Sequence, residues 1–337
     1  RRKSLVGSEM CIRDRPRASF LLQLDQRDLP EHSVRPRCHR NRALVGRGAG
    51  IQAYPPIGRL LKVGVGVVHA HVEGGGPDVI LLHGASGNLR DFTFDLAGRL
   101  AHRFRVTAFD RPGLGHTDPL HDGGDSPAEQ AAVLDLAAGT LGIDRAVVLG
   151  HSYGAAVAMA WALGHPARVA AVVVVAGATM PWPGSLGPWY RIAARRLGGA
   201  VVVPLVSTLT PRRVVDRSVA AIFAPQRVPK GYIEHIGIPL TLRRAGTLRA
   251  TTRQVAGLKP HVTEMARSYP ALALPVEIVH GTADALVPAR VHARPMARLL
   301  PDATLTELSG IGHMPHHAAP EATVAAVIRA AARAGLN

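Results

Sequence analysis

Residues 146–156, Ala146-Val147-Val148-Leu149-Gly150-His151-Ser152-Tyr153-Gly154-Ala155-Ala156, decide how this chain folds. The apolar run 146–149 reads as a buried strand, and the small and apolar residues of 154–163 read as a helix. Strand passes to helix through one glycine-flanked turn. Such a turn needs glycine where helix and strand backbones crowd each other. It also lifts the central side chain, Ser152, to the carboxyl end of the strand. The start of the helix favours negative charge beside that hydroxyl. Taken alone, G-x-S-x-G is equally an ordinary glycine-rich turn, so its meaning depends on what surrounds it.

Outward from this turn, strand and helix alternate. Strands are expected at 59–63, 67–73, 78–82 (DVILL), 105–110 (RVTAFD), 146–149, 169–176, 276–280 and 304–308. Helices are expected at 92–102, 127–141, 154–163, 288–300 and 320–334, with Ser126 as N-cap of the second. This rhythm predicts an α/β fold with a mostly parallel central sheet and helices on both faces. Residues 180–266 break it. They are rich in Arg and Pro, helical in pattern and lie between two core strands, which reads as an inserted helical cap. The core is therefore expected from 51–179 and 267–337.

Two further loops give the serine partners. Asp284 follows the strand 276–280 within His280-Gly281-Thr282-Ala283-Asp284, and His313 follows the strand 304–308 within Gly310-Ile311-Gly312-His313. Ser152, Asp284 and His313 all fall at the carboxyl ends of strands, where open α/β sheets build their sites. A serine hydroxyl attacks well only when a neighbouring base takes its proton, and that base needs a carboxylate on its other ring nitrogen. The expected roles are nucleophile for Ser152, general base for His313 and orienting acid for Asp284. His83-Gly84-Ala85-Ser86-Gly87 follows the strand 78–82, and Ala85 and Tyr153 are the expected backbone N–H donors of an oxyanion hole. His83 is expected to bond the loop backbone. Asp110 and Arg111 are expected to brace the loops.

From about Pro55 onward the chain resembles the α/β-hydrolase superfamily, in the capped branch with many bacterial esterases, lactonases and carbon–carbon bond hydrolases. The resemblance rests on the His83-Gly84 loop, the run Asp110-Arg111-Pro112-Gly113-Leu114-Gly115-His116-Thr117-Asp118, the elbow Gly150–Gly154, and the Asp284 and Gly312-His313 loops. It implies an α/β-hydrolase fold and acyl transfer through Ser152, with no metal or organic cofactor. Relatives that cleave carbon–halogen bonds or epoxides usually carry Asp at the elbow centre, so Ser152 argues against both activities. The expected substrate is a small-molecule carboxylic ester, lactone or thioester. Carbon–carbon hydrolysis of a diketone-like ring-cleavage product is the alternative, and a binding protein that has lost catalysis is a remote one. His151, Trp182 and Trp189 are expected to shape the substrate pocket.

Composition narrows partners. Of 337 residues 47% are hydrophobic, ample for a large core. The only cysteines, Cys11 and Cys38, lie before residue 51, which removes cysteine nucleophiles and thiolate metal sites from the core. The net charge of +16 is concentrated in 1–50 and 180–266. No nucleic-acid module accompanies it, so nucleic acid is not an expected partner, whereas the basic cap could touch an anionic membrane surface. His316 and His317 have no carboxylate pattern nearby that suggests a metal. Residues 1–50 lack periodicity and open with an adapter-like run, and they are expected to be a disordered or non-native basic segment. Without a signal-peptide layout, a cytoplasmic setting is expected, with a native N-terminal anchor missing as the alternative.

Overall fold

Eight strands form one sheet: β1 (Arg59–Val63), β2 (Gly66–Glu73), β3 (Asp78–Leu82), β4 (Arg105–Phe109), β5 (Ala146–His151), β6 (Val169–Val175), β7 (Val276–Gly281) and β8 (Ala303–Leu308). Their order is β1-β2-β4-β3-β5-β6-β7-β8. Only β2 runs against its neighbours; from β4 to β8 all pairings are parallel. This computed structural model describes residues 53–336 apart from 65, 122–125, 188–192, 196–202, 208 and 243–244. The expected disordered segment 1–50 lies outside the described residues. The helices are α1 (Arg90–Thr93), α2 (Leu96–Ala101), α3 (Pro127–Thr140), α4 (Tyr153–Gly164), α5 (Arg212–Phe223), α6 (Tyr232–Ile236), α7 (Ile238–Thr241), α8 (Ala245–Ser268), α9 (Ala293–Leu299), α10 (Pro315–Ala318) and α11 (Pro320–Arg333).

The central strands β3 to β7 are mostly apolar and buried because both faces of the sheet are covered there, whereas the edge strands β1 and β8 carry exposed polar residues. Val147 and Leu149 of β5 join Val79, Leu81, Val106, Val173 and Val175 under Phe92, Leu96 and Leu100 and under Ala326, Val327 and Ala330 of α11. Val148 turns the other way with Ile80, Leu82, Val172 and Val174, under Leu134 of α3 and Ala155 and Met159 of α4. The two-residue period of a strand thus divides one sequence run between two cores. Helix α3 starts where its sequence says it should. The Ser126 hydroxyl accepts the Glu129 N–H at 3.1 Å, the Glu129 carboxylate accepts the Ser126 N–H at 3.2 Å, and Pro127 needs no partner at the first position.

Two expected helices differ. The single helix at 92–102 is two, α1 and α2, broken at Asp95 (φ −154°, ψ −54°), whose carboxylate takes the Arg99 guanidinium at 2.7 Å. Aspartate suits the non-helical residue that precedes a helix. The helix expected over 288–300 starts later, as α9: Pro295 has no N–H to donate back one turn and so falls in the first turn of the helix, and the chain ahead of it is bonded to the Asp284 loop. The Asp284 carboxylate accepts the Leu286 and Val287 N–H groups, both at 2.9 Å, and His280 donates to the Val287 carbonyl at 2.6 Å.

Between β6 and β7 the described chain is helical. Val215, Val219 and Phe223 form one stripe of α5 and pack with Tyr232, Ile236 and Met314. Helix α8 begins in this insertion, where Leu248 packs with Ala193 and Val203, and ends against the sheet, where Leu258 and Val262 join the core. Among the described residues no helix is long and apolar enough to cross a membrane.

Candidate active site

Ser152 sits at the end of β5 with φ 54° and ψ −116°, a left-handed conformation that a residue with a β-carbon adopts at a cost. The surrounding backbone holds it there. Its N–H donates to the Val175 carbonyl at 2.9 Å, and its own carbonyl accepts the Ala155 and Ala178 N–H groups at 3.2 and 3.1 Å. The flanking glycines are sterically required. A side chain at Gly150 would put its Cβ 2.3 Å from the Gly154 carbonyl oxygen, and one at Gly154 would come within 2.1 Å of the Leu82 carbonyl oxygen.

The structure brings Ser152, His313 and Asp284 together. Ser152 Oγ lies 3.0 Å from His313 Nε2, and His313 Nδ1 lies 2.7 Å from Asp284 Oδ2. Since a carboxylate only accepts, His313 carries its proton on Nδ1 and leaves Nε2 to accept the serine O–H. Asp284 is buried, which alone would raise its pKa. Hydrogen bonds from His280 and His313, the charge of His313 and the Val287 N–H outweigh burial and hold the carboxyl well below the usual range. Asp284 therefore remains a carboxylate at neutral pH. His280 stands behind it at 3.4 Å, a supporting contact that reading the sequence did not single out.

The loop after β3 passes directly beside the serine. A Cβ on Gly84 would lie 3.2 Å from Ser152 Cβ. Ala85, next in this loop, and Tyr153, first residue of α4, are the two expected oxyanion donors, and the first N–H groups of a helix have no partner within it. Arg111, fully buried, fixes the loop. Its guanidinium donates to the carbonyls of His83 at 2.7 Å and Gly84 at 2.9 Å, and to the side-chain oxygens of Gln130 and Gln254. It also lies over the Tyr153 ring, 4.6 Å from the centroid. Burial lowers its pKa to about 10, so it stays charged at neutral pH. His83 donates from Nδ1 to the Gly84 carbonyl and accepts the Arg111 N–H at Nε2. Burial, and then the Arg111 charge, lower its pKa to about 4, which fixes it as a neutral brace.

The remaining expected residues divide. His151 is buried and donates from Nε2 to the His313 carbonyl at 2.9 Å, so its ring braces the backbone of His313. Burial and the neighbouring His316 and His313 hold it well below the usual histidine pKa. Trp182 is half-buried against the core, its ring 6.1 Å from that of His292. Trp189 lies outside the described residues. Asp91, which nothing in its sequence surroundings singles out, is a buried hub. It accepts from His316 at 3.1 Å, His317 at 2.8 Å and the Tyr232 hydroxyl at 2.7 Å. Asp91, His151 and His316 bring atoms of metal-ligand type within 4.8 Å of one another. Both Asp91 oxygens accept protein donors, while His151 Nδ1 and His316 Nδ1 are buried with no hydrogen-bond partner among the described residues.

A mostly parallel sheet, a strained serine at a strand-to-helix turn and its Asp and His partners at later strand ends converge with a family comparison. The model of the alpha/beta hydrolase family matches residues 79–327. The chain belongs to the alpha/beta hydrolase family. This hydrolase is 28% identical over 255 residues to an uncharacterised protein of Mycobacterium tuberculosis, covering 74% of the chain and 73% of the relative. It is 27% identical over 284 residues to haloalkane dehalogenase 2 of the same organism, covering 82% and 96%. Its fold superposes on a thermophilic esterase from Thermogutta terrifontis with a TM-score of 0.65 and 21% identity, covering 82% of the hydrolase and 99% of that chain.

Proposed function

We propose that this hydrolase cleaves a carboxylic ester, or a lactone or thioester, through an acyl-enzyme on Ser152. The observation that carries the reading is the unbroken chain from Ser152 Oγ through His313 to Asp284, at 3.0 and 2.7 Å. In the first step His313 Nε2 takes the hydroxyl proton as Oγ bonds to the carbonyl carbon, and the carbonyl oxygen becomes an oxyanion facing the Ala85 and Tyr153 N–H groups. Collapse breaks the bond to the leaving group, which takes the proton from His313. Water then attacks the acyl-serine, gives its proton to the same nitrogen, and the acid departs with Ser152 restored. Asp284 keeps its charge and stabilises the imidazolium in both halves.

The hydroxyl nucleophile also separates this chemistry from that named for the dehalogenase relative. Displacement of a halide by Ser152 would leave an alkyl ether. That product has no carbonyl carbon for water to attack, so a second turnover would be blocked. An acyl group has one. The helical insertion between β6 and β7, with Trp182 at its start, would cover the acyl-enzyme and supply apolar lining.

A panel of p-nitrophenyl esters of rising chain length tests the reading. Turnover of at least one ester, abolished in Ser152→Ala, is expected. Turnover of a vinylogous diketone with none of any ester, lactone or thioester would replace it with the carbon–carbon alternative.

A further inference from the structure

The loop that presents the catalytic base is bonded on one side to the rest of the site and on the other to the insertion. Within 310–312, the Gly310 N–H donates to Thr282 Oγ1 at 3.0 Å, and the Ile311 carbonyl accepts the Ala283 N–H at 2.9 Å. Both partners belong to the loop that carries Asp284. The Gly310 carbonyl and the Gly312 N–H face the other way, to a single side chain. Gln226 donates from Nε2 to the Gly310 carbonyl and accepts the Gly312 N–H at Oε1, both at 2.8 Å. One amide closes a ring across the residues that precede His313.

The fit is close. A Cβ on Gly312 would lie 2.1 Å from the Ala224 carbonyl oxygen, so the residue before the base packs on the backbone of the insertion and must be glycine. Gly312 is buried, and the half-buried Gln226 side chain supplies the partner of its N–H. Gln226 is itself fixed by its N–H, which donates to the Phe223 carbonyl at 2.8 Å. Six residues on, Tyr232 holds Asp91, and Asp91 takes His316 and His317, which follow the base. The chain from Gln226 to Tyr232 therefore contacts the base loop just before His313 and, through Asp91, just after it.

We propose that Gln226 is a positioning residue for the general base, assisted by the Tyr232–Asp91 pair, so that the site is complete only with the insertion seated on the His313 loop. The inference rests on the reading of His313 as base. It predicts that removing the Gln226 amide bonds, with the insertion otherwise seated, turns catalysis down without weakening substrate binding. A misplacement of about 1 Å can cost on the order of 10²-fold in turnover.

The test uses the full chain. Gln226→Met keeps the bulk and neither hydrogen bond. Gln226→Glu keeps the acceptor for the Gly312 N–H and loses the donor to the Gly310 carbonyl. For p-nitrophenyl acetate, kcat should fall about tenfold or more in the Met variant and less in the Glu variant, with KM within about twofold of the parent. The low-field proton resonance of His313 Nδ1–H, identified by its loss in His313→Asn, should shift or broaden in Gln226→Met. A role in packing alone would be preserved by methionine. Parent-like kcat and an unchanged resonance in Gln226→Met therefore overturn the proposal. If Gln226→Met does not fold, Gln226→Glu decides it, supporting the proposal by reduced kcat and overturning it by parent kcat. If the parent hydrolyses no ester, the functional reading fails, and the resonance still decides whether Gln226 positions His313.

Discussion

Gly154→Ala isolates the steric requirement of the site in one methyl group. The added Cβ would lie 2.1 Å from the Leu82 carbonyl oxygen and 2.6 Å from that of His83, where contacts below 3.0 Å are essentially never found. Both opposing atoms are backbone, so no side chain can swing aside. The start of α4 and the end of β3 must separate from 2.1 to at least 3.0 Å, a shift of about 0.9 Å. One side carries Ser152 and Tyr153 and the other leads into Gly84 and Ala85, so the proposed nucleophile and both proposed oxyanion donors are displaced together. A shift near 1 Å is expected to lower kcat/KM by about 10²-fold, or roughly 2.7 kcal/mol of transition-state stabilisation. Overpacking should cost about 1–3 kcal/mol of stability, seen as a fall of several degrees in melting temperature. Gly164→Ala, at the far end of the same helix, is the control, because nothing lies within 4 Å of its added methyl. The assay is p-nitrophenyl acetate hydrolysis beside thermal melting. Gly154→Ala within about threefold of the parent would refute the argument that backbone contact fixes this geometry.

Two more perturbations follow from the buried charges. Burial holds His83 and His292 at about 4, so between pH 6.5 and about 4 the unfolded chain binds protons that the folded chain does not. Stability should fall as pH drops through that window, by roughly 3 kcal/mol for each group fully titrated, and a urea midpoint that stays flat from pH 7 to about 4.5 would contradict this. Arg111→Met should leave the His83 and Gly84 carbonyls and the Gln130 and Gln254 oxygens short of a donor, at about 3 kcal/mol in urea unfolding. A loss under about 1 kcal/mol would show that the oxyanion loop holds itself.

Local signals in the sequence are enough for the sheet and for the three side chains, Ser152, His313 and Asp284, that the structure brings together. Residues 59–63 and 78–82 read as strands and are β1 and β3, because their apolar runs are bounded by glycine and proline. Ser152, Asp284 and His313 were legible because each follows its strand within a few residues. The elements that hold them were not. Asp91 meets His316 across 225 residues of chain, and Gln226 meets Gly310 across 84. Neither pairing leaves a periodic trace, since a hydrogen bond made by folding imposes no pattern on the sequence near either partner. His151 shows the limit of proximity in sequence: beside the nucleophile it reads as a pocket residue, yet its ring is turned to the His313 carbonyl. The helices at 92–102 and 288–300 have a helical period, but Asp95 breaks the first into two, and Pro295, which has no N–H to donate back one turn, sits in the first turn of the shortened second.

The most direct test of the central claim is covalent labelling of Ser152 by a fluorophosphonate, read as the mass of the intact chain and located by peptide sequencing. The strained elbow, the 3.0 Å contact to His313 and the 2.7 Å contact to Asp284 predict one adduct per chain, on Ser152. Labelling should be lost in Ser152→Ala and slowed by orders of magnitude in His313→Ala. An unlabelled parent chain, or an adduct at any other residue, would contradict the account.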